Sequence, residues 1–256
     1  MKRFFISTVL VALVLVVNFA SNALAFLNAT STISWGLTHR GNASIPEIPN
    51  GAAELLKDNN GIFVGDKSQN RVYLTFDLGF EAGFTGQVLD ELKQHDIKAI
   101  FFVCGNYLKE NEIINRMLDD GHCIGNHTDR HLDLPKKDEE TIKKDIQDLD
   151  VKFSLQYPTA NFKFKYFRPP FGKFCANTLS QANQLGLKTV LWSNAIADWG
   201  KSPIDASKYS DKLVSRLHNG SIILLHITNS GTPKMLSQLI AKAVAAGYQF
   251  GDATTL

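Results

Sequence analysis

"RVYLTFDLGFE", residues 71–81, has the pattern of a β-strand that ends on a carboxylate. The β-branched, aromatic and aliphatic side chains from Val72 to Phe76 are typical of strands, and Asp77 and Gly79 then end the apolar run. A carboxylate at the end of a buried strand costs free energy unless a charged group meets it. The stretch therefore predicts a buried strand and, at its end, an acid that needs a charged partner.

The same organisation continues along the chain. Strand-like runs alternate with amphipathic helical stripes about six or seven times after residue 71, which favours a mostly parallel sheet with helices outside. This is more than a flavodoxin-like sheet needs and less than a regular eightfold barrel has. We predict an α/β fold, a distorted or incomplete (β/α) barrel of parallel strands over residues 71–256, preceded by an irregular N-terminal arm over residues 26–70.

The first 25 residues have the pattern of a secretory signal peptide. Lys2 and Arg3 precede an apolar run over residues 4–17, and Ala23 and Ala25 supply the small residues of a cleavage site. The alternative is an uncleaved membrane anchor, for which the run is short. We expect export and cleavage after Ala25, which leaves no stable membrane anchor.

Composition argues against several classes of protein. The 256 residues are 44% hydrophobic and 20% charged, with a net charge of +2 and no basic tract, so nothing indicates nucleic-acid binding. Three cysteines, Cys104, Cys123 and Cys175, give neither a complete disulfide framework nor a C-x-x-C pair. Cys104 and Cys123 adjoin apolar runs, and we interpret both as small core residues.

Polar side chains follow several of the predicted strands. In a parallel α/β barrel the C-terminal ends of all strands open on one face, so residues far apart in sequence can share one site. Each also has a structural interpretation, such as a helix cap for Asp77, a surface ion pair for Arg168 and a turn for Asp198. The residues that the barrel would bring together are Asp77, His127, His131, Arg168, Asp198 and His226.

The segment GNHTDRH, residues 125–131, is the sharpest single motif. His127 and His131, at positions i and i+4, would share one face of a helical turn and suit one divalent ion. A pair of this spacing is only moderately specific, but Asp77 and His226 are expected on the same face of the barrel. The pattern then predicts a divalent metal site flanked by a base and an acid.

Five motifs occur in the order TFDLG, HTDRH, RPPFG, ADW and LLH. They resemble the motifs of the NodB-type polysaccharide deacetylases, a carbohydrate esterase family, and the resemblance covers about residues 71–250. Within that family, TFDLGFE and SNAIADWG are most similar to the PdaA-type delta-lactam-biosynthetic de-N-acetylases of spore-forming bacteria.

The resemblance implies a role for each matching residue. Asp77 matches the general base, and Arg168 matches the arginine that holds its carboxylate. His226 matches the general acid, and Asp198 matches the carboxylate that orients it. The remaining matches are the metal ligands His127 and His131 and the apolar pocket walls Trp199 and Leu225.

Leu78 departs from the family pattern. The wider family has a second acid at this position, which is the carboxylate ligand of the metal, and an isobutyl group cannot replace an oxygen donor. The third ligand is therefore open among Asp77, Asn126, Glu81 and water. The resemblance implies a divalent metal ion, with zinc as the first expectation.

The implied activity is metal-dependent hydrolysis of N-acetyl groups of peptidoglycan, above all of N-acetylmuramic acid, as a step to muramic delta-lactam in spore cortex. The partner would be an amidase-trimmed cell-wall glycan, met outside the cytoplasm in the cell wall or the forespore intermembrane space. One alternative is a deacetylase of N-acetylglucosamine, chitin-type oligomers or acetylated xylan. Another is a non-catalytic glycan-binding module, which the missing ligand favours and the intact acid and base oppose.

Overall fold

The structure is a computed structural model that describes residues 29–41, 43–158, 162–200 and 202–256. The predicted signal peptide, residues 1–25, lies outside these ranges, so its cleavage stays a prediction. Within the described ranges, no helix combines the length and the apolar character needed to cross a membrane.

Short strands alternate with helices as the sequence predicts. The strands are β1 (Ile33–Ser34), β2 (Gly61–Ile62), β3 (Arg71–Leu78), β4 (Ile100–Val103), β5 (Cys123–Asn126), β6 (Tyr166–Phe167), β7 (Lys173–Phe174), β8 (Lys188–Val190), β9 (Asn194–Ala195), β10 (Ser221–His226) and β11 (Gln249–Phe250). The helices are α1 (Ala52–Asp58), α2 (Thr85–Gln94), α3 (Asn111–Asp119), α4 (Glu139–Gln156), α5 (Ala176–Gln184), α6 (Ala206–Val214) and α7 (Thr232–Ala245).

The main sheet runs in the order β2-β8-β6-β5-β4-β3-β10-β9, and all its strand pairs are parallel. β11 pairs in parallel with the first residues of β3. β2 and β9 end the order, and no strand pairing in the described part of the chain joins them. The predicted incomplete (β/α) barrel is therefore confirmed, with β3 between β4 and β10.

Residues 26–70 contribute more than an irregular arm. β2, which lies in this region, forms one end of the main sheet by pairing with β8. β1 pairs with β7 in a separate antiparallel ribbon, and the Trp35 N–H donates to the Gly172 carbonyl oxygen at 2.8 Å. Residues 33–35 are thereby fixed against the loop that follows β6. The domain boundaries proposed from the sequence stay a prediction.

Side chains of β3 alternate between two apolar layers, as the pleat of a strand requires. Val72, Leu74, Phe76 and Leu78 pack with residues of the surrounding helices. Tyr73 packs inside the curled sheet with residues of neighbouring strands, among them Ile100, Phe102, Tyr166, Val190 and Ile222. Asp77 has the same parity as Tyr73, so it lies at the inner end of β3, whereas Leu78 belongs to the helix layer. Each buried side chain of this size stabilises the fold by about 1.5–3 kcal/mol.

Candidate active site

Asp77 and Arg168 form a buried ion pair between the ends of β3 and β6. Arg168 Nη1 donates to Asp77 Oδ1 at 2.8 Å, and Nε donates to the Val190 carbonyl oxygen at 2.8 Å. The guanidinium is fully buried and lies 4.1 Å from the centre of the Phe102 ring. The surface ion pair considered for Arg168 is therefore wrong. The helix cap considered for Asp77 is also wrong, since Phe84 precedes α2.

The surroundings of Asp77 keep it ionised. Burial alone would raise the pKa of Asp77, but the charges of Arg168 and of two nearby histidines, with the Arg168 hydrogen bond, outweigh burial and lower the pKa. Arg168 occupies Oδ1, whereas Oδ2 lies 3.7 Å from His127 Nε2. The carboxylate thus presents one free oxygen beside a histidine.

His226 ends β10 and lies beside Asp77 in the register of the two strands. The fully buried Asp198 accepts hydrogen bonds from His226 Nδ1 at 2.8 Å and from its backbone N–H at 2.7 Å. Because a carboxylate only accepts, Nδ1 carries a proton and Nε2 is the free ring nitrogen. Burial alone would lower the pKa of His226, but the hydrogen bond and charge of Asp198, with Asp77, raise it.

His127 and His131 lie in an irregular loop after β5, so the predicted helical turn is wrong. Thr128 and His131 adopt left-handed backbone conformations, with φ of 67° and 55°. Such conformations cost about 1–2 kcal/mol for residues with a Cβ. Two hydrogen bonds hold the loop: Thr128 N–H donates to Asn126 Oδ1 at 2.9 Å, and His131 N–H donates to Thr128 Oγ1 at 3.0 Å. The strained loop brings the two ring centres to 4.9 Å.

Helix α4 fixes this loop from outside. Asp145, fully buried on α4, accepts from the Arg130 backbone N–H at 3.2 Å and from its Nε at 2.8 Å. Lys152, two helical turns further along α4, donates to both carboxylate oxygens of Asp129 at 2.7 Å. Two charged contacts therefore maintain a loop conformation that local sequence preference disfavours.

Both histidines are in the form that binds a metal ion. His127 Nδ1 donates to the Arg168 carbonyl oxygen at 2.8 Å, which leaves Nε2 free. Histidines that bind a metal through one ring nitrogen typically donate a hydrogen bond of this kind from the other. Burial lowers the pKa of His127, and burial together with His127 lowers the pKa of His131 to about 4. Two neutral imidazoles fit a divalent ion such as zinc.

Two of the residues considered as a third ligand are committed elsewhere. Asn126 Nδ2 donates to the Ile146 carbonyl oxygen at 2.9 Å, and its Oδ1 accepts from Thr128. Glu81, which precedes α2, accepts from the hydroxyl groups of Thr85 and Tyr107. The prediction of Asn126 and Glu81 as candidate ligands is therefore wrong, and both have structural roles.

The sequence analysis missed the position of Cys104. Its Sγ and one ring nitrogen each of His127 and His131 lie within 4.8 Å of one another, the one group of three such donors found among the described residues. The side chain is buried and free, as the core interpretation expects, but it adjoins the histidines. Strand parity could have found it: Cys104 continues the inward series of Ile100 and Phe102.

An open cavity of about 420 Å³ lies above these groups and is lined by Asp77, His127, His131 and His226. Its remaining lining residues are Phe171, Gly172, Trp192, Trp199 and Leu224.

Trp199, predicted as a pocket wall, is 59% exposed, with its ring 5.1 Å from the His226 ring. The prediction that Leu225 is the other pocket wall is wrong. Leu225 is fully buried among the helix-side residues, and Leu224 lines the cavity in its place. Residues two apart in a strand lie on the same face, so Leu224 shares the cavity face with His226 and Leu225 lies on the opposite face.

Comparison with known proteins identifies the family. A family model described as "Polysaccharide deacetylase" matches residues 64–190. The chain is 34% identical over 220 residues to the peptidoglycan-N-acetylmuramic acid deacetylase PdaA of Bacillus subtilis, covering 85% of this chain and 83% of the relative. It is 35% identical over 193 residues to a peptidoglycan-N-acetylglucosamine deacetylase of Bacillus cereus, covering 73% and 68% respectively.

Solved structures support the same family assignment. The structure of Bacillus subtilis PdaA, a family 4 carbohydrate esterase, superposes with a TM-score of 0.79 at 31% identity, over 86% of this chain and 94% of that chain. A family 4 pseudoenzyme of Bacillus anthracis superposes with a TM-score of 0.69 at 26% identity, over 77% and 68% respectively. The chain belongs to the polysaccharide deacetylase family of hydrolases.

Proposed function

We propose that this member of the polysaccharide deacetylase family removes N-acetyl groups from peptidoglycan, with N-acetylmuramic acid as its preferred residue. The observation that supports an enzyme is the pair of Asp77 and His226. They end adjacent strands in register, line one cavity, and each has its own buried charged partner. Opposite pKa shifts on two neighbouring groups are the arrangement that separates a base from an acid.

In the proposed reaction Asp77 is the general base. Its ionised carboxylate accepts a proton through Oδ2 from the water that attacks the acetyl carbonyl carbon. Arg168 holds Oδ1 and so fixes the direction in which Oδ2 points. The new bond joins the water oxygen to the carbonyl carbon.

His226 is the general acid. Its Nε2 donates a proton to the amide nitrogen as the C–N bond breaks, which releases acetate and a free amine. Asp198 keeps the ring oriented through Nδ1 and stabilises the protonated imidazole. A non-catalytic module has no need of a base and an acid that are each positioned by a buried partner.

His127 and His131 would hold the divalent ion, for which we propose zinc because two neutral imidazoles suit it. When bound, such an ion supplies Lewis-acid polarisation of the amide carbonyl. The family relationship supports a metal at this place, and the paired rings at the cavity wall supply donors for it.

The proposed substrate follows from similarity to the muramic acid deacetylase over most of both chains. After deacetylation, the free amine of muramic acid could attack the lactyl carboxyl and lose water to close a six-membered lactam. This requires a lactyl group without its stem peptide, so we propose amidase-trimmed strands as substrate. With the export signal expected at residues 1–25, we place the activity outside the cytoplasm, in the cell wall or the forespore intermembrane space, as a step in forming spore cortex.

One observation favours a second candidate, deacetylation of N-acetylglucosamine. No lysine or arginine is among the described residues that line the cavity, and Arg168 is buried beneath it. A lactyl carboxylate would therefore meet no lysine or arginine in that lining, although Lys173 Nζ lies beside it, 5.7 Å from the centre of the Phe171 ring. Relatives named as N-acetylglucosamine deacetylases also match this chain.

The test is turnover on trimmed peptidoglycan, on peptidoglycan with intact stem peptides, on chitin oligomers and on acetylated xylan. Mass spectrometry of muramidase fragments should show loss of acetyl and then of water at muramic acid, with trimmed strands reacting fastest. Faster acetate release from chitin oligomers would favour the second candidate instead. Absence of turnover on all four, with the Asp77→Asn variant as the background, would indicate a non-catalytic module.

A further inference from the structure

We propose that Cys104 is the third protein ligand of the divalent ion, through its Sγ. The inference deepens the proposed function, because it concerns the ion used in that reaction. It gives the site a donor that Leu78 cannot supply, since the Leu78 side chain has no donor atom and packs in the helix layer.

The first argument is the spacing of the donors. One donor atom from each of Cys104, His127 and His131 lies within 4.8 Å of the other two. Around a tetrahedral zinc ion, with bonds of about 2.0–2.3 Å, such atoms lie about 3.3–3.6 Å apart. Small side-chain rotations would close the difference.

The second argument is the backbone around Cys104. Its N–H donates to the Leu78 carbonyl oxygen at 3.1 Å, and the next N–H, of Gly105, donates to the Asp129 carbonyl oxygen at 3.1 Å. A Cβ added to Gly105 would lie only 2.0 Å from Asp129 Oδ1. Glycine at position 105 therefore lets the cysteine segment lie directly against the histidine loop.

The third argument is the lack of a stronger partner for the sulfur. Cys104 Sγ donates to the His127 carbonyl oxygen at 3.5 Å, a weak bond that a metal can replace. Asn126 and Glu81 form structural hydrogen bonds, and Asp77 has one oxygen bound by Arg168 and keeps the other, Oδ2, for the proposed role of base. Cys104 is thus the donor that groups with both histidines.

Binding of the ion by Cys104 would release one proton, that of the thiol. The S–H bond breaks, the sulfur keeps the electron pair and bonds the ion, and the proton passes to solvent. A thiolate with two imidazoles favours zinc or cobalt over magnesium, calcium or manganese. The site would therefore differ in metal preference from one completed by a carboxylate.

The experiment measures metal binding and needs no substrate. Metal-free protein is titrated with cobalt, and the thiolate-to-cobalt charge-transfer band in the near ultraviolet is recorded. Zinc affinity is measured by competition with a chelator, and proton release by calorimetry in buffers of different ionisation enthalpy. The variants are Cys104→Ala, Cys104→Asp and, as a matched control, Cys123→Ala, whose sulfur also makes only a weak bond to a backbone carbonyl.

We expect the unchanged protein and Cys123→Ala to show the charge-transfer band and to release about one proton per zinc ion. Cys104→Ala should lose the band and that proton and bind zinc about 100-fold more weakly or worse, since even outer partners of ligands cost 10–100-fold. Cys104→Asp should regain affinity without the band, which would separate a ligand role from a folding defect.

Zinc binding that is equally tight in Cys104→Ala, or a cobalt complex without the band in the unchanged protein, would overturn the inference and leave the proposed deacetylation standing. Failure of the unchanged protein to bind zinc or cobalt at all would overturn the metal part of the proposed function as well.

Discussion

Asp198 holds both the ring and the backbone of His226: one carboxylate oxygen accepts Nδ1–H at 2.8 Å, and the other accepts the backbone N–H at 2.7 Å. The carboxylate fixes the ring at the end of β10 and raises the pKa of His226 against the effect of burial. Position and protonation of the proposed acid therefore depend on one residue that lies outside the cavity lining.

Asp198→Asn should move the alkaline limb of the pH profile of kcat/KM to lower pH. A protonated His226 is required, and its raised pKa places loss of the proton above the ordinary histidine range. Without the charge of Asp198, burial dominates and the pKa falls. The rate at the optimum should fall by about 100-fold or more. An alkaline limb that stays in place would show that Asp198 does not set the pKa of the acid.

Asp77→Asn should reduce kcat by about 10²–10⁴-fold with little change in KM, because the carboxylate acts on the transition state. The acidic limb of the pH profile, set by the lowered pKa of Asp77, should disappear. His226→Ala should remove the alkaline limb instead. Asp58→Asn, an exposed change on α1, is the control and should leave both limbs unchanged. Effects confined to KM would assign both residues to substrate holding.

His127→Ala and His131→Ala should each abolish tight zinc binding and deacetylation while the protein stays folded. Since burial lowers the pKa of both rings, protons do not compete with the ion at these nitrogens near neutral pH. Chelator competition measures the affinity, and circular dichroism checks the fold. His95→Ala, which changes an exposed histidine just after α2, is the control. Full zinc affinity in both single variants would exclude these rings as ligands.

Asp145→Asn should loosen the histidine loop. It removes the charge that holds Arg130, so we expect unfolding free energy to fall by about 1–3 kcal/mol. Zinc affinity should fall by about tenfold, as for other residues that position a ligand. Denaturant unfolding and chelator competition measure the two effects. Asp148→Asn, which breaks the ion pair with Lys144 on the same helix, should change neither appreciably. Unchanged zinc affinity in Asp145→Asn would show that the loop holds its shape without this contact.

Phe171→Ala and Trp199→Ala should raise KM for glycans more than they lower kcat. Both rings are more than half exposed and line the cavity, where apolar faces can pack on sugar rings. Steady-state kinetics on a series of glycan lengths would measure this. Leu155→Ala, an exposed apolar change on α4, is the control. An unaltered KM in both variants would place the glycan elsewhere.

Strand parity and barrel topology predict most of this site from sequence. Asp77 and His226 follow apolar strands, and a parallel sheet brings such positions together whatever their separation in sequence. The same parity assigns Leu224, not Leu225, to the cavity and places Cys104 beside the histidines, so those two residues could have been predicted.

The histidine loop could not have been predicted in this way. Its left-handed backbone at Thr128 runs against local preference and depends on contacts with α4, which lie in a later part of the sequence. The burial of Arg168 is likewise a tertiary property: it depends on Phe102 beneath the guanidinium and on the Val190 carbonyl.

The register of β3 with β10 has a consequence for heat resistance. Asp77 and His226 are cross-strand neighbours at the end of six consecutive residue pairs, so their backbones are held at the inter-strand spacing of about 4.8 Å. No loop sets that spacing, and loop fluctuations on warming should not change it. The proposed base and acid should therefore stay correctly spaced on warming until β3 and β10 separate.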